Sequence, residues 1–143
     1  MVELLVVMGI IGLILTISVP AMTGYAKRTR LKAASRQVMG LLSLARSLAI
    51  SSHAQHAVVI DQERRELRVT NLESGEDLEQ AVHLPPLVTV TMEVGGEASQ
   101  EARMIFQPSG SLAGRSVSLI LADRDTHQTV TVTGVTGAVS IQD

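Results

Sequence analysis

The residues that could bind a metal or exchange protons are histidines and carboxylates, and their spacing is the first test of such chemistry. Four histidines occur, at positions 53, 56, 83 and 127. None has the His-Glu-x-x-His arrangement that turns two imidazoles to one face of a helix for zinc. The segment Asp123-Arg124-Asp125-Thr126-His127 offers oxygen ligands, but it lacks the length, the glycine and the final glutamate of an EF-hand loop. We therefore expect solvated or hydrogen-bonded histidines and no metal site.

Candidate nucleophiles are also poorly placed for catalysis. The chain has no cysteine, which excludes disulfides, thiolate metal ligands and a cysteine nucleophile. Ser111 follows Gly110 but lies in Pro-Ser-Gly-Ser rather than in a Gly-x-Ser-x-Gly turn, and no order of Asp and His suggests a triad. The sequence therefore predicts neither an enzyme nor a bound cofactor.

Glu3 differs from the other acids because it opens a long apolar run. From Leu4 to Ala26 the only ionisable side chain is that of Tyr25. At about 1.5 Å of helical rise per residue, this run is long enough to cross a hydrocarbon core of about 30 Å. A carboxylate at the membrane end of a helix is costly unless it meets a positive group. We predict that residues 1–26 are a transmembrane half-helix, in which Glu3 either makes an assembly contact or lies unpaired at the head-group boundary.

Glycine and proline interrupt the same run. Gly9 and Gly12 would let a neighbouring membrane helix approach closely, or would be ordinary positions on a lipid-facing helix. Pro20 lacks an N–H and clashes with the preceding turn, so it is predicted to kink or end the helix, with Gly24 assisting.

After Lys27 the apolar pattern becomes one-sided. Apolar residues recur at steps of three and four, which is typical of a helix with one buried face. We predict that residues 27–52 form the amphipathic half of the same stalk helix and that this stripe packs on the head. Its members are Leu31, Ala34, Val38, Leu41, Leu42, Ala45, Leu48 and Ala49.

Residues 53–143 have the pattern of a β-rich head. Short runs of β-branched and apolar residues alternate with turns rich in Gly, Pro and Asp, which favours antiparallel sheets covered by the amphipathic helix. We expect a solvated acidic loop over residues 73–77. The predicted strands lie at 57–60, 66–70, 82–84, 87–94, 104–106, 117–121, 129–133 and 138–141.

The N-terminal residues resemble a known family. Val2-Glu3-Leu4-Leu5-Val6-Val7-Met8-Gly9-Ile10-Ile11-Gly12, with Pro20 seventeen residues after Glu3, is similar to the stalk of type IV pilins and type II secretion pseudopilins. The resemblance implies insertion in the bacterial inner membrane with a periplasmic head. It also implies that Glu3 contacts the N-terminal amine of a neighbouring pseudopilin, that an inner-membrane platform assembles the filament, and that a prepilin peptidase cuts a precursor that carries a leader.

The head resembles the H-type pseudopilins and FimT-like minor pilins through an ordered series of short motifs. These are Leu41-Leu42-Ser43-Leu44-Ala45-Arg46-Ser47-Leu48-Ala49-Ile50, Leu84-Pro85-Pro86, Ile105-Phe106-Gln107-Pro108-Ser109-Gly110 and Thr136-Gly137-Ala138-Val139. The resemblance implies a pilin-like α+β fold, in which a long N-terminal helix packs on an antiparallel β-sheet or sandwich. It also implies a minor subunit of a pseudopilus that drives protein export across the outer membrane.

The charges of the two parts of the chain help to distinguish between the remaining candidate functions. Residues 1–52 carry six Lys/Arg and one acid, a charge of +5, whereas residues 53–143 carry six Arg and 13 acids, a charge of −7. The basic residues that follow the apolar run, at positions 27, 28, 30 and 32, favour anionic lipid head groups nearby. FimT-like DNA uptake is the alternative, but the Gly-Arg-x-Arg motif of that branch is replaced by Gly137-Ala138-Val139-Ser140. DNA binding needs basic residues or stacking aromatics, and Phe106 is the only aromatic of the head. A membrane-anchored periplasmic binding module is the third option.

Overall fold

The computed structural model describes residues 2–78, 80–124 and 126–142. One α-helix, α1, runs over Val2–Ser52. The chain divides into two compact units, Met1–Arg30 and Leu31–Asp143. The second half of α1 therefore belongs to the same unit as the strands, which we call the globular unit, and residues 1–30 are the N-terminal unit.

The N-terminal unit is helical and its apolar side chains are exposed. Every side chain from Val2 to Thr16 is open to its surroundings. Hydroxyls bond back along the helix, from Thr16 Oγ1 to the Gly12 carbonyl oxygen at 2.7 Å and from Thr29 Oγ1 to that of Tyr25 at 3.0 Å. No helix in the part of the chain that the structure describes is both long and apolar enough to cross a membrane.

The globular unit contains two antiparallel sheets. One has four strands in the order β3-β2-β1-β6, and the other has five in the order β5-β4-β7-β8-β9. The described strands are β1 His56–Asp61, β2 Glu66–Asn71, β3 Val82–His83, β4 Thr89–Val94, β5 Glu97–Ala98, β6 Arg103–Phe106, β7 Val117–Asp123, β8 Thr126–Val132 and β9 Val139–Gln142.

Hairpins connect β1 with β2 and β7 with β8. β1 and β2 pair in register from His56–Asn71 to Asp61–Glu66, and the turn between them is fixed by a 2.9 Å bond from Arg64 N to Asp61 Oδ1. β7 and β8 pair from Val117–Val132 to Asp123–Thr126. A helix followed by antiparallel sheets confirms the predicted α+β class.

A single hydrophobic core joins α1 to both sheets. Its largest fully buried side chains include Leu42 of α1, Leu67 of β2, Phe106 of β6 and Leu119 of β7. The predicted stalk stripe lies in this core, where Leu48 is partly buried and the other seven members are buried: Leu31, Ala34, Val38, Leu41, Leu42, Ala45 and Ala49. The amphipathic half of α1 thus packs inside the globular unit.

The end of α1 meets two turns at a tightly packed corner. Arg46 Nε donates to the carbonyl oxygen of Gly110 at 3.1 Å. A Cβ on Gly110 would lie 2.8 Å from Ile50 Cδ1, and a Cβ on Gly137 would overlap the Gly110 carbonyl oxygen. Both glycines also have positive φ, 81° and 62°. Only glycine fits at either position, so this corner fixes the helix end against the turns after β6 and before β9.

Gly137→Ala is expected to destabilise the globular unit far more than Gly75→Ala does. Both positions have positive φ, but a Cβ on Gly75 would meet open space. For Gly75→Ala, the free energy of unfolding should fall only by the cost of placing alanine in the left-handed conformation, about 1–2 kcal/mol. Gly137→Ala adds overpacking of about 1–3 kcal/mol. Urea unfolding followed by circular dichroism measures both, and equal losses would contradict the packing argument.

Leu42→Ala is expected to lower the free energy of unfolding by about 2–5 kcal/mol, because it leaves a cavity in the core. Leu5→Ala is the matched control, since Leu5 is 71% exposed and Leu42 is 0% exposed. Chemical unfolding of the full chain in non-ionic detergent measures the difference. A Leu42→Ala variant as stable as the wild type would show that the helix is not part of the cooperative unit.

Candidate functional site

The first turn of α1 carries the acid that the sequence analysis singled out. Glu3 lies in that turn, where the partial positive charge of the helix N-terminus favours a carboxylate. Its side chain is exposed. Glu3 forms no ion pair with another residue that the structure describes, so its charge is available to a group outside these residues.

An apolar surface follows Glu3 along the helix. Large contiguous apolar surfaces mark contacts with a membrane or with another protein. No atom lies within 4 Å of the place a Cβ would take at Gly9 or Gly12, so both positions are open. The exposed large apolar side chains of this surface are Val2, Leu4, Leu5, Val6, Val7, Met8, Ile10, Ile11, Leu13, Ile14 and Leu15.

The kink predicted at Pro20 and Gly24 falls where the helix is described but the side chains are not. α1 is helical through both positions. The side chains of residues 17–24 and of Lys27 lie outside the described part of the structure. The kink, the packing role of Gly9 and Gly12 and the membrane segment over residues 1–26 stay predictions.

The four histidines occupy unrelated places. His53 Nδ1 lies 2.7 Å from the Ile50 carbonyl oxygen at the end of α1, and buried His56 has its Nδ1 3.2 Å from that of Ala54. His83 is exposed beside Glu66, and His127 is exposed on β8. No group of three or more His, Asp or Glu side chains that could hold a metal ion occurs among the described residues. Asp125 of the loop considered for a cation lies outside them.

A charged cluster on the four-stranded sheet centres on Arg68. Its guanidinium lies 3.2 Å from Glu66 Oε1, 3.2 Å from Asp77 Oδ2 and 3.8 Å from Asp61 Oδ2. Asp77 also accepts a 2.5 Å hydrogen bond from Thr70 Oγ1. The acidic loop, expected to be merely solvated, is therefore fastened to β2 through Asp77. The arginine therefore links β2 to β1 through Asp61 and to the acidic loop through Asp77.

The corner formed by Arg46, Gly110 and Gly137 brings together three of the short motifs that lie far apart in the sequence. Their order is visible in the sequence but their contact is not, because no local pattern links positions more than 60 residues apart, as Arg46 and Gly110 are. The three motifs thus have a common structural role, because each supplies one side of the packed corner.

Solved structures with this architecture are found among pilin-like proteins. FimU, a type IV minor pilin of Pseudomonas aeruginosa, aligns with a TM-score of 0.68 at 16% identity, over 83% of this chain and 92% of FimU. EpsH, a minor pseudopilin from the type 2 secretion system of Vibrio cholerae, aligns with a TM-score of 0.63 at 19% identity, over 79% of this chain and 96% of EpsH. At these identities the likeness shows a shared fold.

Sequence comparison gives the family. None of the curated proteins compared matches the chain. A family model described as type II transport protein GspH matches residues 34–137. The matched span includes most of the buried stripe of α1, the whole corner and the strands from β1 to β8. The chain belongs to the GspH family of type II transport proteins.

Proposed function

We propose that this chain is a minor pseudopilin, a structural subunit of the type II secretion pseudopilus that helps drive proteins across the outer membrane. The observation that carries the proposal is the GspH match over residues 34–137, which covers the contacts that join α1 to the sheets. Most of the short motifs that resemble H-type pseudopilins lie within this span. The chain acts by assembling with other pseudopilins, and it catalyses no reaction.

The stalk supplies the anchor and the filament contact. In this proposal residues 1–26 cross the inner membrane, residues 27–52 continue as the amphipathic half, and residues 53–143 form a periplasmic head. The exposed apolar side chains of the N-terminal unit support an apolar environment for it. An inner-membrane platform would assemble the filament, and a prepilin peptidase would process a precursor that carries a leader.

Glu3 is the proposed recruiting group. A carboxylate in a low-dielectric environment interacts strongly with a nearby positive charge. Glu3 has no ion-pair partner among the described residues, and the partner proposed for it is the N-terminal amine of an adjacent subunit. Pairing would remove the cost of an isolated charge near the bilayer, so assembled subunits would be favoured over single ones.

A minor type IV pilin that binds DNA for uptake, as the resemblance to FimT-like proteins implies, is the second candidate, and the type IV minor pilin FimU shares the fold of this chain. The head charge of −7 opposes it. The place of the FimT-like motif, Gly137-Ala138-Val139-Ser140, lies at the packed corner and the start of β9 and carries no arginine. Secretion is therefore the better supported function.

Glu3→Ala and Glu3→Gln are expected to leave the protein in the membrane but to abolish its cross-linking to other pseudopilins. Removing the charge eases insertion, by about 2.5–3.5 kcal/mol at the bilayer centre and by less near its boundary. Glu3→Gln keeps the shape, so a defect in both variants indicates the charge. The measurements are the membrane fraction, cross-linking yield and secretion in cells.

Leu5→Ala is the matched control for this experiment, because it alters the same exposed surface without changing a charge. Its cross-linking should stay close to that of the wild type. If both Glu3 variants cross-link and secrete normally, Glu3 is a boundary residue and the ion-pair mechanism is wrong.

The purified head is expected to show no measurable affinity for duplex DNA near physiological salt. Phosphate contacts require basic groups, whereas residues 53–143 carry 13 acids against six arginines. Fluorescence anisotropy with a labelled duplex measures this. A dissociation constant in the low micromolar range would favour the DNA-uptake function.

A further inference from the structure

A cleft that filament recruitment through Glu3 does not use opens beside β6. Its volume is about 300 Å³. Met92 and Val94 of β4 and Met104 of β6 give it an apolar lining, and the charged residues of the lining are Arg103, Arg115 and Glu101. A cleft with an apolar lining and a few charged groups is the usual form of a recognition site.

One side of the cleft is an open sheet edge. β6 is the outermost strand of the four-stranded sheet. On its outer side the Ile105 carbonyl oxygen accepts from Ala113 N, and Gln107 N donates to the Ser111 carbonyl oxygen, both at 2.8 Å. Backbone groups alternate along a strand, so the N–H and C=O of Arg103 point to this same side. Among the described residues no backbone group bonds to them, which leaves one open position on the edge.

The two arginines of the cleft lack acidic partners. Arg103 and Arg115 are exposed, and neither forms an ion pair with a described residue. By contrast, Arg64 and Arg68 are both paired with Asp61. The cleft carries two arginines against one glutamate, Glu101, in a head of charge −7, and this local positive excess favours a negatively charged ligand.

The wall that carries Arg115 is held in place. Leu112 N donates to the Gly134 carbonyl oxygen at 2.9 Å, and Gly134 N donates to Ser116 Oγ at 3.0 Å. A Cβ on Gly134 would come within 2.8 Å of the Gly114 carbonyl oxygen, so the two loops are in close contact. A cleft whose wall is already ordered loses little entropy when a ligand binds.

We propose that this cleft binds an extended acidic peptide segment of a partner protein, which adds as a strand to β6. One peptide residue would exchange both backbone hydrogen bonds with Arg103. Alternate side chains of a strand point to opposite sides, so apolar residues would contact Met92 and Met104 while acidic residues pair with Arg103 and Arg115. The proposal involves no contact of Glu3 and no membrane segment, so it can fail or succeed independently of filament recruitment.

The test is fluorescence anisotropy with a fluorescein-labelled hexapeptide of alternating valine and aspartate. The full chain in non-ionic detergent should bind it saturably and more weakly as salt rises. Arg103→Glu and Arg115→Glu should each raise the dissociation constant about three- to tenfold. Arg124→Glu is the matched control, because Arg124 is exposed in the turn after β7 and outside the cleft. It should bind as the wild type does.

A second peptide tests the strand pairing itself. The peptide residue opposite Arg103 has its side chain on the same face as Arg103, so it is an aspartate. The same sequence with N-methylated aspartates cannot donate that backbone hydrogen bond, and we expect it to bind at least several-fold more weakly. Equal binding of the methylated peptide would overturn strand addition. Unchanged binding in both cleft variants, or tighter binding of oligothymidylate than of the peptide, would overturn the acidic-peptide site. Circular dichroism of each variant checks that the globular unit is folded.

Discussion

The apolar face of α1 between Leu31 and Ala49 is the contact on which the globular unit depends. It supplies seven of the 23 buried residues of the described core. Small domains bury a limited core, and here the buried side chains of both sheets belong to one cluster with this helix face. Ser35 shows how complete the burial is, since its hydroxyl is fully buried and bonds to the Leu31 carbonyl oxygen at 3.0 Å. This face of the helix is thus part of the core of the globular unit.

The corner at the end of α1 sets the position of the helix relative to the turns. An apolar stripe alone allows a helix to slide or rotate, because hydrophobic burial is non-directional. Arg46 adds a directional bond to one carbonyl group, and Gly110 and Gly137 let the backbones meet at a distance that any side chain would prevent. This chain therefore depends on particular residues at three separate points of its sequence, Arg46, Gly110 and Gly137.

Periodicity predicted the elements whose buried residues recur at regular steps. The stripe of α1 and the alternating strands β1, β2, β7 and β8 follow directly from steps of three and four or of two. β5 was missed because Glu97 and Ala98 are both exposed and show no alternation. β4 begins at Thr89 rather than at Leu87, because Val88 N bonds to the Pro85 carbonyl oxygen at 3.0 Å in a turn.

These patterns do not predict contacts between residues that are distant in sequence. The acidic loop showed the composition of a solvated segment, and its attachment through Asp77 depends on where β2 places Arg68 and Thr70. The cleft beside β6 arises where the edge of one sheet passes the strands of the other. Its arginines are ordinary in sequence. They differ from Arg64 and Arg68 in one respect, because neither forms an ion pair with a described residue.

The two features proposed to act in association have the same physical origin. Glu3 and the apolar side chains after it, like Arg103 and Arg115 beside an open edge, are groups that the described residues leave without partners. Such groups contribute little to folding, because an exposed charge or apolar side chain gains nothing until another surface covers it. The free energy gained by covering these groups therefore contributes to binding rather than to folding. A subunit that works by assembly needs such surfaces, and it needs no arrangement of nucleophile, base or metal.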